Sequence, residues 1–323
     1  MSAPETPFFP MTHDDALALL AAIAALAPGL VTDSQAGCVA GDEEAIENGF
    51  IKLATSDNKG LMPAAYAALL GSPEALAFIG GKALTQTAGF HNSLYRGKYL
   101  GSSVTEAQRT AISAGTFDDL FIGDYWAIND VNWRIAAFDY WYNMGSPRCT
   151  AHHVVIVPDI CLAQSKMNNT DTTAGAYVGS DWYTGSNSNA GKSTANAAIN
   201  SAFGADYILR HREYLKNAVT NGYESAGAWY DSTFELMTEQ MVYGGKVFGN
   251  VLKNIDTPVN ATIGLYQLPL FAHDPSSINI GAFWWLRDVG ASTHFAAVTQ
   301  YGTASLLEAA DTFGIRPAFG IRG

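Results

Sequence analysis

Charged residues and cysteines are both scarce in this 323-residue sequence, and basic residues never form a run. Charged residues make up 15% and hydrophobic residues 48%, so the chain can bury a sizeable core and disorder over most of its length is excluded. The formal net charge is −12. With no cluster of Lys or Arg to contact phosphates, this charge argues against binding to nucleic acid.

Long apolar runs and a secretion signal are missing as well. The longest apolar segment, residues 16–27, is too short to cross a bilayer, so we expect no membrane insertion. The first residues lack the positive region of a signal peptide and are acidic instead. We therefore expect synthesis in a cytoplasm without export by a cleaved signal.

Only three cysteines are present: Cys38, Cys149 and Cys161. None lies in a CxxC spacing, and an odd number cannot form a complete disulfide set. Cys149 and Cys161 could pair, but the compartment favours three free, buried thiols.

Aromatic residues are abundant by contrast, at 12%, with Tyr and Trp concentrated in the last two thirds of the chain. Such residues serve both cores and recognition surfaces. The composition changes between residues 85 and 91, from Ala- and Gly-rich to aromatic-rich. This change predicts an N-terminal domain of residues 1–88 and a larger domain of residues 89–323. In the first domain, Thr12 caps a helix that is apolar around its whole circumference at residues 16–27. This helix is either buried or an oligomer contact.

The larger domain has the pattern of an α+β fold. Helices are predicted at residues 104–115, 193–203 and 232–243. A hairpin is predicted around Asn129-Asp130-Val131-Asn132, within residues 118–141, and a short buried strand at residues 152–159. A polar loop at residues 167–191 separates the strand from the second helix.

The sequence Gly191-Lys192-Ser193 resembles the end of a phosphate-binding loop. That loop needs a glycine five residues before the Gly-Lys pair, where this sequence has Ser186, and Gly185 stands one residue too early. Nucleotide binding is therefore not expected.

Two further pairs of residues could indicate a metal or catalytic site. His152 and His153 are adjacent in a predicted strand, so their side chains point to opposite faces and cannot easily share an ion. Glu235 and Glu239 are one helical turn apart, which is typical of the exposed face of the predicted helix. No nucleophile or metalloprotease motif is present, so we predict no catalytic residue, no metal and no cofactor.

The end of the chain has a framed organisation. An apolar cluster at Trp284 to Leu286 precedes a mixed stretch, and residues 314–319 read as a closing strand. If these two segments pair, the stretch between them is a surface excursion with fixed ends. Trp284, Trp285, Arg287 and Arg316 are predicted to be structural and are called the frame residues below.

Small or apolar residues alternate in this stretch with side chains that share no chemistry, as a recognition surface requires. We predict eleven ligand-binding residues, called the display residues: His294, Thr299, Gln300, Tyr301, Thr303, Ser305, Leu306, Leu307, Glu308, Asp311 and Phe313. Thr312 belongs to the same mixed pattern. Tyr301 is the expected anchor because its large ring loses little rotamer entropy. Phe313 is either a second anchor or a core residue.

The motifs WWLRDV at residues 284–289, FAxV…GxA at residues 295–304 and GIRPAF at residues 314–319 resemble the variable proteins that phage retroelements diversify, the class of the phage major tropism determinant. Segments such as FHNSLYRGKYLG and GTFDDLFIGDYW are similar to phage proteins with this module. The resemblance covers residues 90–319. It implies a C-type lectin-like fold of the formylglycine-generating-enzyme kind, without that enzyme's chemistry, because its catalytic cysteine pair has no counterpart.

One departure concerns diversification, which acts at adenines and commonly in Asn codons. Most display residues are reachable from such codons, but Gln300 and Glu308 are not. Either these two arise otherwise or this copy is no longer diversified.

The resemblance implies a phage receptor-binding protein on the virion, at a tail or fibre tip, which presents residues 290–313 to a host cell-surface protein or glycan. Residues 1–88 would then contact other virion proteins and form a homotrimer, because weak single sites need avidity. The alternative is a structural virion component, such as a capsid decoration or tail protein. An enzyme on the same fold is a third hypothesis.

Overall fold

The computed structural model describes residues 87–186, 191–216, 219–220, 223–224, 227–249, 260–261 and 266–323. All of them belong to one compact unit, Gln86–Gly323. The predicted N-terminal domain, its apolar helix at residues 16–27 and Cys38 lie outside the described residues. The domain and the homotrimer therefore stay predictions.

Six helices and fourteen strands make up the described chain, which confirms an α+β fold. The helices are α1 (Ala88–His91), α2 (Glu106–Ala114), α3 (Asp181–Thr184), α4 (Gly191–Phe203), α5 (Glu239–Tyr243) and α6 (Pro269–His273). The strands are β1 (Tyr125–Ile128), β2 (Val131–Phe138), β3 (Val154–Pro158), β4 (Ala163–Ser165), β5 (His211–Lys216), β6 (Val219–Thr220), β7 (Tyr223–Glu224), β8 (Gly227–Ser232), β9 (Phe234–Leu236), β10 (Trp284–Val289), β11 (His294–Val298), β12 (Ala304–Glu308), β13 (Phe313–Ile315) and β14 (Pro317–Ile321).

Two five-stranded sheets dominate the unit. The first has the order β1-β2-β3-β14-β9 and is antiparallel throughout. The second has the order β12-β11-β10-β13-β4, with β10 and β13 parallel. Two small ribbons, β5-β8 and β6-β7, complete the described strands. Strands β3, β10 and β14 are buried at every position, so the core lies against these central strands.

Local signals predicted several elements correctly. Asn129 and Asp130 have φ of 52° and 60° and form the tight turn of the β1–β2 hairpin. The Thr105 side chain caps α2 in a capping box with Gln108, and Gly115 ends the helix at φ 70°. The predicted strand at residues 152–159 is β3, and the helix predicted at residues 193–203 is α4.

The helix predicted over residues 232–243 is wrong. This segment contains the end of β8, then β9, and only then the short helix α5. Phe234 pairs with Phe319 of β14, so the first half of the segment forms a strand that pairs with a strand distant in sequence. Thr238 then caps α5 by accepting a hydrogen bond from the Met241 N–H at 3.0 Å.

The exposed face expected at Glu235 and Glu239 is therefore also wrong, because both side chains are buried. The Glu235 carboxylate accepts hydrogen bonds from Ser232 Oγ at 2.7 Å and from the Tyr177 hydroxyl at 2.5 Å. Glu239 accepts from three successive backbone N–H groups, those of residues 247–249. Each carboxylate has the partners that a buried charge requires.

The closing strand predicted at residues 314–319 is divided at Arg316. Its first part, β13, lies beside β10, with Trp284 opposite Gly314, as the framed organisation requires. Its second part, β14, enters the other sheet between β3 and β9. Gly314 allows the close approach of Cys161, whose Sγ would lie 2.2 Å from a Cβ at that position. One short segment therefore belongs to both sheets.

The stretch between the frame segments is likewise more ordered than a loop excursion. It forms the β11–β12 hairpin, which extends the second sheet on the other side of β10. Strand β11 is buried from Phe295 to Val298, and β12 is the sheet edge.

The two cysteines in the described part of the chain, Cys149 and Cys161, are free thiols. Burial raises the pKa of both, and that of Cys161 reaches about 11. Among the helices of the described residues, none combines the length and apolar character needed to cross a bilayer.

The adjacent histidines hydrogen-bond within the core rather than to each other. His152 Nδ1 lies 2.7 Å from Asp139 Oδ2. The His153 ring is fully buried, with Nδ1 3.0 Å from the Ala151 carbonyl and Nε2 3.1 Å from the Trp141 N–H. A neutral ring that donates from Nδ1 and accepts at Nε2 satisfies both partners. Burial accordingly lowers the pKa of His153 to about 3.

We expect His153 to make the fold sensitive to acid. The unfolded side chain titrates near 6.5, so between about pH 6.5 and 3 the unfolded chain binds a proton that the folded chain does not. Above pH 6.5 neither state binds this proton, so the free energy of unfolding has its full value. As the pH decreases below 6.5, the free energy of unfolding falls by at most about 1.4 kcal/mol per pH unit. Urea unfolding at pH 7, 6, 5 and 4 should show a steeper loss for the wild type than for His153→Gln.

The variant comparison matters because other ionisable groups lie close to the ring. Asp139, His152 and His211 surround the ring, and burial raises the pKa of Asp139. His273→Gln, a change at an exposed histidine, is the matched control and should keep the wild-type slope. Equal slopes for the wild type and His153→Gln would contradict the assignment.

Candidate functional site

The frame residues lie inside the core. Trp284 and Trp285 of β10 are fully buried, and Trp285 donates from Nε1 to the Ser165 carbonyl at 2.9 Å. The Trp285 ring contacts Phe295 and Phe313, with centroids 6.4 and 5.2 Å away. These contacts fix β10 against the hairpin strand β11 and the start of β13.

Two buried arginines complete this frame. Arg316 is fully buried, donates from Nε to the Pro158 carbonyl at 2.8 Å and has its guanidinium 5.1 Å from the Trp284 ring centroid. Burial lowers the pKa of Arg316 to about 10. Arg287 Nη1 lies 2.6 Å from Glu213 Oε2. Burial alone would lower the pKa of Arg287, but the Glu213 carboxylate raises it above its ordinary value.

The turn at residues 299–303, called the tip turn, joins β11 to β12 and is held rigidly. The Thr299 N–H donates to the Thr303 carbonyl at 2.8 Å, and the Thr299 hydroxyl accepts from the Tyr301 and Thr303 N–H groups at 3.2 and 3.3 Å. Gly302 adopts φ +81°, and its carbonyl accepts from the Tyr243 hydroxyl at 3.2 Å. Tyr301 is 73% exposed at the apex. The tip turn therefore presents a large aromatic ring on a fixed backbone.

Display residues along β12 are held less freely than those of the tip turn. Ser305, Leu306 and Leu307 are half-buried at the sheet edge, and both leucines pack against the core. Leu306 covers Gly290, where an added Cβ would lie 2.1 Å from its Cδ2. Glu308 is exposed at the end of the strand.

The remaining display residues lie at both ends of the hairpin. Gln300 is half-buried and Thr303 exposed in the tip turn, while His294 is half-buried and Asp311 exposed at the opposite end. Phe313 is half-buried between Phe283 and Trp285, with ring centroids 5.4 and 5.2 Å away. Phe313 therefore packs with the frame. Asp311, like Phe313, follows the hairpin, and the other display residues lie on it. Its exposed display residues, Tyr301, Thr303 and Glu308, are called the hairpin surface.

A polar cavity that the sequence did not indicate lies behind the tip turn. It has a volume of about 270 Å³ and is lined by Tyr95, Arg134, Asp159, Asp274, Ser277, Asn279 and Ile280. These residues come from distant parts of the chain, so no spacing could have revealed them. Asn279 touches the tip turn directly, because a Cβ on Gly302 would lie 3.1 Å from the Asn279 Cβ.

The other motifs singled out in the sequence do not form a further site in the described ranges. Lys192 begins α4 and has its Nζ 3.5 Å from the Tyr183 ring centroid. Burial lowers the pKa of Lys192 and raises that of Glu235. Within the described ranges, no three His, Cys, Asp or Glu side chains converge in a way that could hold a metal ion.

Comparison with known proteins identifies no relative. No family model, no curated protein and no solved structure matches the chain.

Proposed function

We propose that this chain is a recognition protein that binds its ligand through the hairpin surface. The observation that carries this proposal is the contrast within one hairpin. Strand β11 is buried and rests on a frame of buried tryptophans, whereas the tip turn holds Tyr301 73% exposed on a hydrogen-bonded backbone. A rigid support with an exposed aromatic side chain has little conformational freedom to lose on binding.

The ligand in this proposal lies on a bacterial cell surface and the chain on a phage virion, as a receptor-binding protein. The support is the sequence resemblance to retroelement-diversified variable proteins, carried by WWLRDV in β10 and GIRPAF across β13 and β14. The C-type lectin-like fold belongs to the same proposal. It is supported by an α+β unit whose closing segment joins two sheets around the β10–β13 pair.

Binding energy at such a surface concentrates in a few aromatic residues. Tyr301 is the anchor of this proposal, since it is the most exposed of the large hydrophobic side chains in the described chain. Leu306, Leu307 and Phe313 contact the core, so changes at these positions affect stability as well as binding.

Tyr301→Ala is expected to weaken cell binding by about 30-fold, the effect of a hot-spot residue. Stability should change by less than about 0.5 kcal/mol, because the ring is exposed. Labelled full-length chain would be titrated onto a panel of bacterial strains by flow cytometry. The variants would then be compared on a strain that binds, with thermal unfolding measured in parallel.

Tyr99→Ala is the matched control, since Tyr99 is 52% exposed but is not a display residue. It should bind cells like the wild type. If the wild-type chain binds no strain in the panel, the proposal is overturned. The same holds if Tyr99→Ala weakens cell binding as much as Tyr301→Ala does.

A further inference from the structure

The charged side chains that line the cavity behind the tip turn are held by contacts within the protein. Arg134 donates from Nε to Asp159 Oδ1 at 2.8 Å and from Nη1 to the Gly123 carbonyl at 2.7 Å. Its guanidinium also lies 5.0 Å from the Tyr125 ring centroid. Burial would lower the pKa of Arg134, but the Asp159 carboxylate raises it. The charged side chains therefore hold fixed positions.

The opposite wall is also fixed. The Tyr95 ring lies against Gly123, where an added Cβ would be 2.3 Å from its Cε2, and the Tyr95 hydroxyl donates to Asp274 Oδ2 at 3.2 Å. Tyr95 is still 43% exposed. The wall thus offers an aromatic ring beside a carboxylate.

The lining selects against anions. One arginine and two aspartates give it a formal charge of −1, and the arginine is already paired with one of them. A phosphate, or a sugar acid, would face the Asp274 carboxylate without a free cation among the lining residues. A neutral ligand avoids this repulsion.

Hydroxyl groups match the lining best, since each can donate and accept a hydrogen bond at once. The Asp274 carboxylate accepts from the Tyr95 and Ser276 hydroxyls and has lone pairs for a further donor. Ser277 Oγ donates to the Asp274 carbonyl at 2.7 Å and can still accept. The Asn279 NH2 can donate because its Oδ1 already accepts from the Gly281 N–H at 2.9 Å. Tyr95 and Ile280 supply apolar surface. The volume of about 270 Å³ is just below the range of about 300–1,000 Å³ typical of sites for drug-sized ligands. One sugar ring is a ligand of suitable size and chemistry.

We propose that this cavity is a binding subsite for one neutral sugar residue of a cell-surface glycan. It rests on the proposed function, since Asn279 lines the cavity and also contacts Gly302 in the tip turn. In this proposal the cavity binds one sugar residue and the tip turn contacts another part of the same glycan. The ligand class is thereby narrowed from a protein or glycan to a glycan.

Saturation-transfer NMR on the full-length chain tests the subsite, with glucose, galactose, mannose and N-acetylglucosamine as probes and N-acetylneuraminic acid as the anionic comparator. At least one neutral sugar should bind with a dissociation constant on the order of 1 mM, as expected for about a dozen heavy atoms. Tyr95→Phe and Asp274→Asn should each weaken that binding by about 10-fold, since the first removes the hydroxyl that orients the Asp274 carboxylate and the second replaces this charged acceptor with a neutral amide. Tyr99→Phe is the matched control and should bind normally.

Tyr301→Ala separates this inference from the proposed function. It should leave sugar binding unchanged while it weakens cell binding, and the bound sugar should compete with cells.

If cell binding depends on Tyr301 but no neutral sugar binds, the subsite alone is overturned. Stronger binding of N-acetylneuraminic acid, or unchanged binding in Tyr95→Phe and Asp274→Asn with normal thermal unfolding, would also overturn it. If sugar binds but Tyr301→Ala leaves cell binding intact, the proposed function fails instead.

Discussion

Arg287→Met is expected to destabilise the folded chain by about 3–5 kcal/mol, because it leaves the Glu213 carboxylate buried without its main cation. His211 Nε2 lies 3.1 Å from Glu213 Oε1 and would remain as an ionisable partner. Burial acts to raise the pKa of Glu213, but Arg287 and His211 lower it to about 2. Without Arg287 the carboxylate would resist ionisation. Urea unfolding at pH 7 measures the loss.

A double-mutant cycle distinguishes this ion pair from simple loss of packing. The double variant Arg287→Met/Glu213→Gln should be less destabilised than the sum of the two single variants, because no buried charge is left alone. Strictly additive effects would mean that the 2.6 Å contact contributes nothing specific. Arg212→Met, which breaks an ion pair at the surface, should cost less than about 1 kcal/mol.

Trp285→Ala is expected to lower the free energy of unfolding by about 3–5 kcal/mol, as much as Arg287→Met. The ring is fully buried between Phe295 and Phe313, so its removal leaves a cavity that the sheet cannot close. The Ser165 carbonyl also loses the Nε1 hydrogen bond at 2.9 Å. Differential scanning calorimetry should show a clear fall in the melting temperature.

Two variants calibrate this result. Trp285→Phe fills most of the volume but still removes the hydrogen-bond donor, so a smaller loss of about 1–3 kcal/mol is expected. Tyr301→Ala removes an aromatic ring of similar size from an exposed position and should change little. A Trp285→Ala variant with normal stability but lost binding would move Trp285 from the frame into the binding site.

Elements with local signals could be predicted from the sequence. The β1–β2 turn needs only Asn129-Asp130, and α2 needs only its Thr105 cap and Gly115 terminus. The helix predicted over residues 232–243 was wrong because its first half pairs, as β9, with β14. Strand β14 lies more than eighty residues later in the chain. Periodicity contains no information about a partner at that distance.

The candidate site divides in the same way. The mixed composition between the Trp284 cluster and the closing segment indicated where β10 to β14 form, and Tyr301 is exposed there as expected. Its role as an anchor stays a prediction. The composition could not show that Leu306 covers Gly290 or that Phe313 stacks on Phe283, because both contacts depend on the register of the sheet. The cavity escaped prediction for the same reason, since Tyr95 and Asp274 meet only in the folded chain.

The division of the closing segment at Arg316 has a consequence for biosynthesis. Strand β14 is an inner strand, with β3 on one side and β9 on the other, and β13 separates β10 from β4. Until residues 313–321 emerge, a nascent chain therefore has four strand edges open that the folded chain pairs, on β3, β9, β10 and β4, and open edges readily pair with other chains. Premature termination before this segment would yield an aggregation-prone polypeptide rather than a weaker binder.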